Sequence, residues 1–324
     1  STRVRSSAAS DVYKRQDIDL ECAEKYLLLS ADSNNYKAQY MLGKLYQSDN
    51  KKDLQKAEKV LIKGAENAQD KTGLCEYSLG KLYLSQERYD KAASYLERSA
   101  AKDNYYAAYT LGKLYQEQFN DNALAEKHLM HAAEHKDDVM GIAAYRLGKL
   151  YLSFQEKRKA LQYFIKAADK DNTYGMYAAG KILLDSRKST EVSKGIRYLS
   201  SAADKDFEPA IYTMGKYYSS FNNTKAKEYL KRSAFEYNDP NAQYILGKVY
   251  LSENKNEMAE KCFRQCALNG NNSGQLAYGL MLLRDGQKKA AYQWLRKSAR
   301  SGNDIAKKII SGKKADIPFE FRLA

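Results

Sequence analysis

The sequence predicts an all-α protein built as a row of helix-turn-helix repeats, a solenoid, and three observations carry that expectation. A Leu-Gly-Lys tripeptide or a near variant recurs through the 324 residues, placing Gly43, Gly80, Gly112, Gly148, Gly180, Gly215, Gly247 and Gly279 in register at spacings of 37, 32, 36, 32, 35, 32 and 32. About sixteen residues after each glycine comes a second segment that reads Lys-Ala-x-x-aromatic-Leu-x-x-Ser/Ala-Ala. Only three prolines interrupt the chain, and no apolar run is long enough to span a bilayer. A mean period of about 34 residues is that of two-helix units, which bury their apolar faces by stacking on their neighbours.

Helix A of each unit carries the glycine. On a helical wheel with Gly at zero, small residues at minus five (Ala38, Cys75, Ala107, Ala143, Gly175, Ala210, Ala242, Gly274), Leu at minus one and Tyr or Leu at plus three share one broad arc, the expected core. Each mid-helix Gly costs about 1 kcal/mol in propensity, which close packing must offset. In helix B the aromatic slot (Tyr26, Val60, Tyr95, His128, Tyr163, Tyr198, Tyr229, Cys262, Trp294) is read as the core knob. Acidic residues such as Glu58 and Glu97 are read as solvated i,i+4 partners of lysines on helix B. The A-to-B loops vary most, with KSTEVS around Ser189 the longest. Pro209 and Pro240 stand just before helix A, and Asp239-Pro240 reads as N-cap and first helical position.

In chain order, residues 1–16 lack apolar periodicity and resemble translated sequencing adapter, so the native N-terminus, and with it any upstream segment, is expected to be missing. The solenoid is expected over 17–312. It begins with an orphan B helix (Asp19 to Ser30), continues through eight A-B pairs, and closes with a capping helix from Asp304 to Ser311; 313–324 is a tail.

The net charge of +14, of which +3 lies in residues 1–16, favours acidic partners. Four cysteines (Cys22, Cys75, Cys262, Cys266) are too sparse for a disulfide scaffold and point to a reducing, cytoplasmic setting. The three histidines, His128, His131 and His135, share one helix face as a zinc set would, but His128 sits in the aromatic slot and the other two align with exposed lysines, so no metal is expected. Cys262 and Cys266 fall at packing positions. No P-loop, dinucleotide fingerprint or Ser-His-Asp set emerges, and neither an enzyme nor a cofactor is expected.

Seven successive repeats pair Tyr at minus three with Lys at plus one: Tyr40/Lys44, Tyr77/Lys81, Tyr109/Lys113, Tyr145/Lys149, Tyr177/Lys181, Tyr212/Lys216 and Tyr244/Lys248; the eighth reads Leu276/Leu280. These i,i+4 pairs lie at the polar edge of helix A and form the candidate binding ladder, a row of ammonium groups backed by phenols. The same pattern arises if Tyr fills a seam between repeats and duplication simply copied Lys, a good helix former. Two lysines 10 Å apart repel by only about 0.4 kcal/mol in water, so the row needs no ligand to be tolerated.

The segments AQYMLGKLY (38–46), DKAASYLERSAAKDN (90–104) and AAYQWLRKSARSGN (290–303) resemble the Sel-one-like repeat (SLR) branch of the tetratricopeptide superfamily, over about 17–303. The resemblance implies a right-handed superhelix with helix A on the concave side, used for protein binding and without enzyme activity. Combined with the ladder, it points to a bacterial scaffold binding an acidic or carboxylate-bearing peptide. The rival is the C-terminal repeat region of a nucleic-acid enzyme such as a plasmid mobilisation relaxase, with bases stacked on the tyrosines.

Overall fold

A computed structural model of the chain describes residues 20–49 and 52–317, which are helical apart from short connections. The chain divides into two compact units, 1–172 and 173–324. The first holds α1 (20–32), α2 (Tyr36–Gln47), α3 (Leu54–Ala65), α4 (Leu74–Ser85), α5 (Tyr89–Ala101), α6 (Tyr105–Leu114), α7 (Asn122–Glu134), α8 (Ile142–Ser153) and α9 (Lys157–Asp169). The second holds α10 (Thr173–Leu184), α11 (Ser189–Asp204), α12 (Glu208–Tyr218), α13 (Asn223–Lys231), α14 (Pro240–Ser252), α15 (Asn256–Leu268), α16 (Asn272–Arg284), α17 (Lys288–Arg300) and α18 (Asp304–Ile310). From α2 to α17 the even-numbered helices are A and the odd-numbered ones B. Within each unit, successive A helices approach one another more closely than successive B helices do, so the A helices form the tighter layer. The expected non-native stretch 1–16 and the end of the tail, 318–324, lie outside the described residues.

The core knob of helix B is not the aromatic slot but the residue after it. Leu61, Leu96, Leu129, Phe164, Leu199, Leu230, Phe263 and Leu295 are at most 1% exposed, and each presses on the glycine of its own repeat. A Cβ at Gly43 would stand 2.4 Å from Leu61, and one at Gly148 2.6 Å from Phe164. Burying such a side chain is worth about 1.5–3 kcal/mol, enough to offset the glycine's helical cost. The slot residues Tyr95, His128, Tyr163 and Tyr229 are half-buried instead, and Tyr26 is exposed. Their amphipathic rings keep a polar tip near water and stack on the plus-three tyrosine of the same repeat: Tyr83–Tyr95 and Tyr151–Tyr163 at 5.5 Å, Tyr115–His128 at 5.6 Å and Tyr218–Tyr229 at 6.1 Å. Cys262 alone among the slot residues is fully buried.

Glu58 and Glu97 do not pair with solvent-facing lysines. They accept hydrogen bonds from the plus-three tyrosine of the next repeat, Tyr83 Oη to Glu58 at 2.6 Å and Tyr115 Oη to Glu97 at 2.5 Å. The loop expectation also needs correction. KSTEVS is largely helical, because Glu191 in the first turn of α11 accepts from Ser186 Oγ at 2.6 Å and favours the helix's positive end; the extra residues lengthen α11 to 16 residues. The two longest connections, 66–73 and 135–141, run from B to A instead. Each is closed by a buried carboxylate. Asp70 accepts from the N–H groups of Gly73 (3.0 Å) and Cys75 (3.2 Å), and Asp138 from those of Ala143 (3.0 Å) and Ala144 (3.3 Å). Burial works to raise the Asp70 pKa, but hydrogen bonds from Thr72 and Cys75 outweigh it and hold the carboxyl below its usual range.

Single-residue insertions are absorbed by π-turns. Gly112 to Leu129 is one step longer than Gly80 to Leu96, and the extra residue lies in the π-turn Tyr115–Phe119. From the last buried alanine to the left-handed turn residue is four steps in Ala234–Asn238 against three in Ala203–Asp206, and the π-turn Arg232–Glu236 takes up the difference. Asp239 is the N-cap of α14 with Pro240 at N1, whereas at α12 the cap is Phe207 and Pro209 lies inside the first turn.

Candidate protein-interaction site

The ladder tyrosines Tyr40, Tyr77, Tyr109, Tyr145, Tyr177, Tyr212 and Tyr244 are all half-buried. Their rings lie in the seams of their own unit: Tyr77 against Tyr106 (6.0 Å), Tyr109 against Tyr105 (6.4 Å), Tyr145 against Phe164 (5.8 Å), Tyr177 against Phe207 (5.4 Å) and Tyr244 against Phe263 (5.8 Å). Burial raises the pKa of Tyr77 and Tyr212, so both phenols stay neutral donors at ordinary pH.

Lys44, Lys81, Lys149, Lys181, Lys216 and Lys248 are exposed, and Lys113 is half-buried. Three of these ammonium groups fold over the ring of their own pair: Lys44 on Tyr40 (5.6 Å), Lys149 on Tyr145 (6.0 Å) and Lys181 on Tyr177 (5.8 Å). Among the described residues, Lys44, Lys81, Lys113, Lys149, Lys181 and Lys216 have no carboxylate within ion-pair distance. Lysines elsewhere do, as in Lys102–Glu76 at 2.5 Å and Lys170–Asp138 at 3.3 Å. Leu276 and Leu280, which replace the pair in the eighth repeat, are buried.

In the second unit the ladder borders two adjoining grooves between successive A helices. One, of about 480 Å³, is walled by Tyr177, Lys181, Tyr212, Tyr217 and Phe221. The other, of about 900 Å³, is walled by Lys216, Tyr244, Lys248, Ser219 and Ser252. Lys216 and Ser220 belong to both. The sequence reading missed Tyr217, Phe221 and the serines. The signal was present, since Ser recurs five residues after the glycine at Ser48, Ser85, Ser153, Ser220 and Ser252, one turn beyond the lysine on the same stripe. Four of them close the helix end by donating to the carbonyl three residues back, at 2.6–2.8 Å.

The histidines divide differently from the sequence reading. His128 stacks on Tyr115, and burial, then the Lys127 charge, holds its imidazole below the usual value. His131 is exposed, but the His135 side chain is only 7% exposed; its Nε2 lies 3.4 Å from Asp103, and its Nδ1 accepts from the Asp137 N–H. Among the described residues no group of three or more His, Cys, Asp or Glu is placed to hold a metal ion. Cys75, Cys262 and Cys266 are buried free thiols; burial pushes Cys262 and Cys266 up to about 12, and they pack as small apolar groups. No helix among the described residues is long and apolar enough to cross a membrane.

Helical hairpins stacked in chain order, each packed on the next, define an α-solenoid repeat protein. Residues 74–104 and 240–268 each match the tetratricopeptide repeat family. The fold is shared with a protective antigen of uropathogenic Escherichia coli that displays an SLR fold (TM-score 0.70, 21% identity, 90% of this chain and 68% of that one). A Sel1 repeat protein from Oxalobacter formigenes shares it too (TM-score 0.65, 21% identity, 89% of both chains). No curated protein sequence matches the chain. The chain therefore has the α-solenoid fold of these SLR structures, and two of its segments match tetratricopeptide repeats.

Proposed function

We propose that the chain is a non-catalytic protein-interaction scaffold whose A-helix faces hold acidic or carboxylate-bearing segments of partner proteins. Tyrosine supplies apolar contact and a neutral O–H donor, and lysine supplies charge. The SLR/TPR-like fold supports the coarse role. The observation that carries the finer one is that Lys44, Lys81, Lys113, Lys149, Lys181 and Lys216 have no carboxylate within ion-pair distance among the described residues, three of them being held over tyrosine rings. In the second unit the row borders the two grooves of about 480 and 900 Å³.

The test is fluorescence anisotropy with a fluorescein-labelled decaglutamate peptide. Each exposed contact is worth about 0.2–1 kcal/mol, so Lys216→Gln alone weakens binding less than about ten-fold. The combined Lys113, Lys149, Lys181 and Lys216→Gln variant abolishes it at unchanged helicity. A control with the same charge loss on B helices (Lys59, Lys127, Lys166 and Lys194→Gln) retains most of the affinity. Equal binding by the ladder variant and the parent overturns the reading. If labelled oligothymidine binds instead, with a log-log salt slope of about −0.7 per phosphate neutralised, and is lost when Tyr109, Tyr145 and Tyr177 become Leu, nucleic acid is the partner.

A further inference from the structure

The B-helix side of the second unit carries a groove that the ladder does not use. It has a volume of about 520 Å³ and lies between the π-turn at the end of α13 and the last turns of α15. Phe235 and Leu268 form its apolar walls, Lys261 and Arg264 its charged rim, and buried Gln243 its floor. Gln243 is fully committed: it donates to Ala234 O at 2.9 Å and accepts from Asn269 at 3.1 Å, which fixes the floor.

The repeat pattern shows that this patch departs from its own template. Phe235 and Leu268 each follow the core knob of their helix by five residues, a position filled in the other repeats by Glu66, Ala101, Glu134, Asp169, Asp204 and Arg300. Only these two consecutive repeats place a large apolar side chain there, and each is 58% exposed. Lys261 and Arg264 have no carboxylate within ion-pair distance among the described residues, and the nearby Glu236 lies 3.8 Å from Arg232. An apolar cleft flanked by uncompensated cations is a surface that buries favourably only against a partner carrying both apolar and acidic groups.

We infer that this groove is a second docking surface for a partner protein segment in which a bulky apolar side chain, seated between Phe235 and Leu268, is flanked by carboxylates that meet Lys261 and Arg264. A second copy of this chain fits poorly, because a two-fold contact through this face sets the same cations against each other. Nucleic acid satisfies the cations but leaves the apolar pair uncovered.

The test uses the full chain and a labelled synthetic 16-residue peptide with Leu or Phe at helical spacing and Asp or Glu elsewhere. Two control peptides replace all acids with Lys or all apolar residues with Ala. The parent chain binds only the first. Phe235→Asp with Leu268→Asp weakens binding at least ten-fold; both positions are exposed and carry acids in other repeats, so circular dichroism and melting stay unchanged. Phe235→Leu retains binding. Lys261→Gln with Arg264→Gln weakens it several-fold and flattens its salt dependence. The four-lysine ladder variant binds this probe within two-fold of the parent, which separates the inference from the A-helix reading. It is overturned if the double Asp variant binds like the parent, if the Lys control peptide binds equally, or if only the ladder variant loses the probe. Self-association in sedimentation velocity that the double Asp variant abolishes also overturns it, by making a second copy the occupant.

Discussion

The two units follow one repeat template but close their seams with different chemistry. In the first, every plus-three residue is a tyrosine whose hydroxyl donates to a glutamate of the preceding B helix: Tyr46 to Glu24 (2.9 Å), Tyr83 to Glu58 (2.6 Å), Tyr115 to Glu97 (2.5 Å) and Tyr151 to Glu126 (2.6 Å). Buried acids add to this. Glu76 is held by Lys102 at 2.5 Å with Arg98 at 3.7 Å, and Asp138 also accepts from Tyr105 at 3.0 Å. In the second unit the same position reads Leu183, Tyr218, Tyr250 and Leu282, and among the described residues neither tyrosine donates to a carboxylate. Four residues before the glycine the first unit reads Gln39, Glu76, Ala108 and Ala144 and the second Met176, Ile211, Gln243 and Gln275, so only the first unit places a charge there. The second unit's links between repeats mix neutral ones, such as Cys266 Sγ to Pro240 O at 3.0 Å, with ion pairs less buried than Glu76–Lys102, such as Lys227–Glu253. A solenoid seam therefore demands shape, supplied by glycine and its Leu or Phe knob, and accepts either charge or apolar contact to complete it.

The largest expected difference between the units comes from stranding a buried charge. Lys102→Ala leaves Glu76, which is 1% exposed, with Arg98 alone, and costs the first unit about 3 kcal/mol. The matched change Lys227→Ala strips one partner from Glu253, which is 18% exposed and keeps Lys255 at 2.7 Å, and costs below about 1 kcal/mol. Urea melts with hydrogen exchange read over α4–α6 and α13–α15 measure both. Equal losses would show that the seams do not differ in this way.

A smaller effect separates the tyrosines by pH. Burial first, then the hydrogen bond to glutamate and its charge, raise Tyr46 and Tyr115 to about 12 and push Tyr83 and Tyr151 up as well. A raised phenol favours the folded state while neutral, so this stability is complete below the unfolded value near 10 and is lost as pH rises through the folded values. Tyr83→Phe with Tyr151→Phe costs about 1–3 kcal/mol for each bond at pH 8. It also makes the decline between pH 9.5 and 11.5 shallower than in the parent. Tyr250→Phe, which removes a phenol raised chiefly by burial and with no hydrogen bond to a carboxylate among the described residues, changes that slope less. Identical alkaline slopes in the parent and the first double variant would show that the tyrosine–glutamate bonds do not set the alkaline decline.

The smallest expected effect concerns the turns after helix A. The first unit holds Gln155 at φ 60° where the second holds Gly286 at φ 75°. A side chain in the left-handed region costs about 1–2 kcal/mol, part of which glycine returns as unfolded-chain entropy. Gln155→Gly therefore stabilises by up to about 1 kcal/mol, and Gly286→Ala, whose Cβ meets no neighbour within 4 Å, destabilises by a similar amount in thermal melts. Opposite signs would show that tertiary contacts, not backbone preference, set these turns.

The period, the glycine register, the core arc of helix A and the Tyr/Lys stripe were legible because each is a relation within one helix or a repetition of one, and helical geometry fixes both from residue spacing alone. The knob of helix B was misread by one position because the wheel places the aromatic and the following Leu both near the core; which one enters the glycine notch depends on how the second helix is rotated against the first. The glutamates were read as solvated because their partners lie 18 to 25 residues away, as in Tyr115–Glu97 and Tyr83–Glu58, on helices that meet only in the stacked array. Whether each ladder lysine finds a carboxylate, and whether Phe235 and Leu268 line one cleft, are likewise settled by side chains brought together across helices. The sequence determined what each helix presents; only tertiary packing decided what each presented group faces, since pairing energy depends on distances between helices that no local periodicity contains.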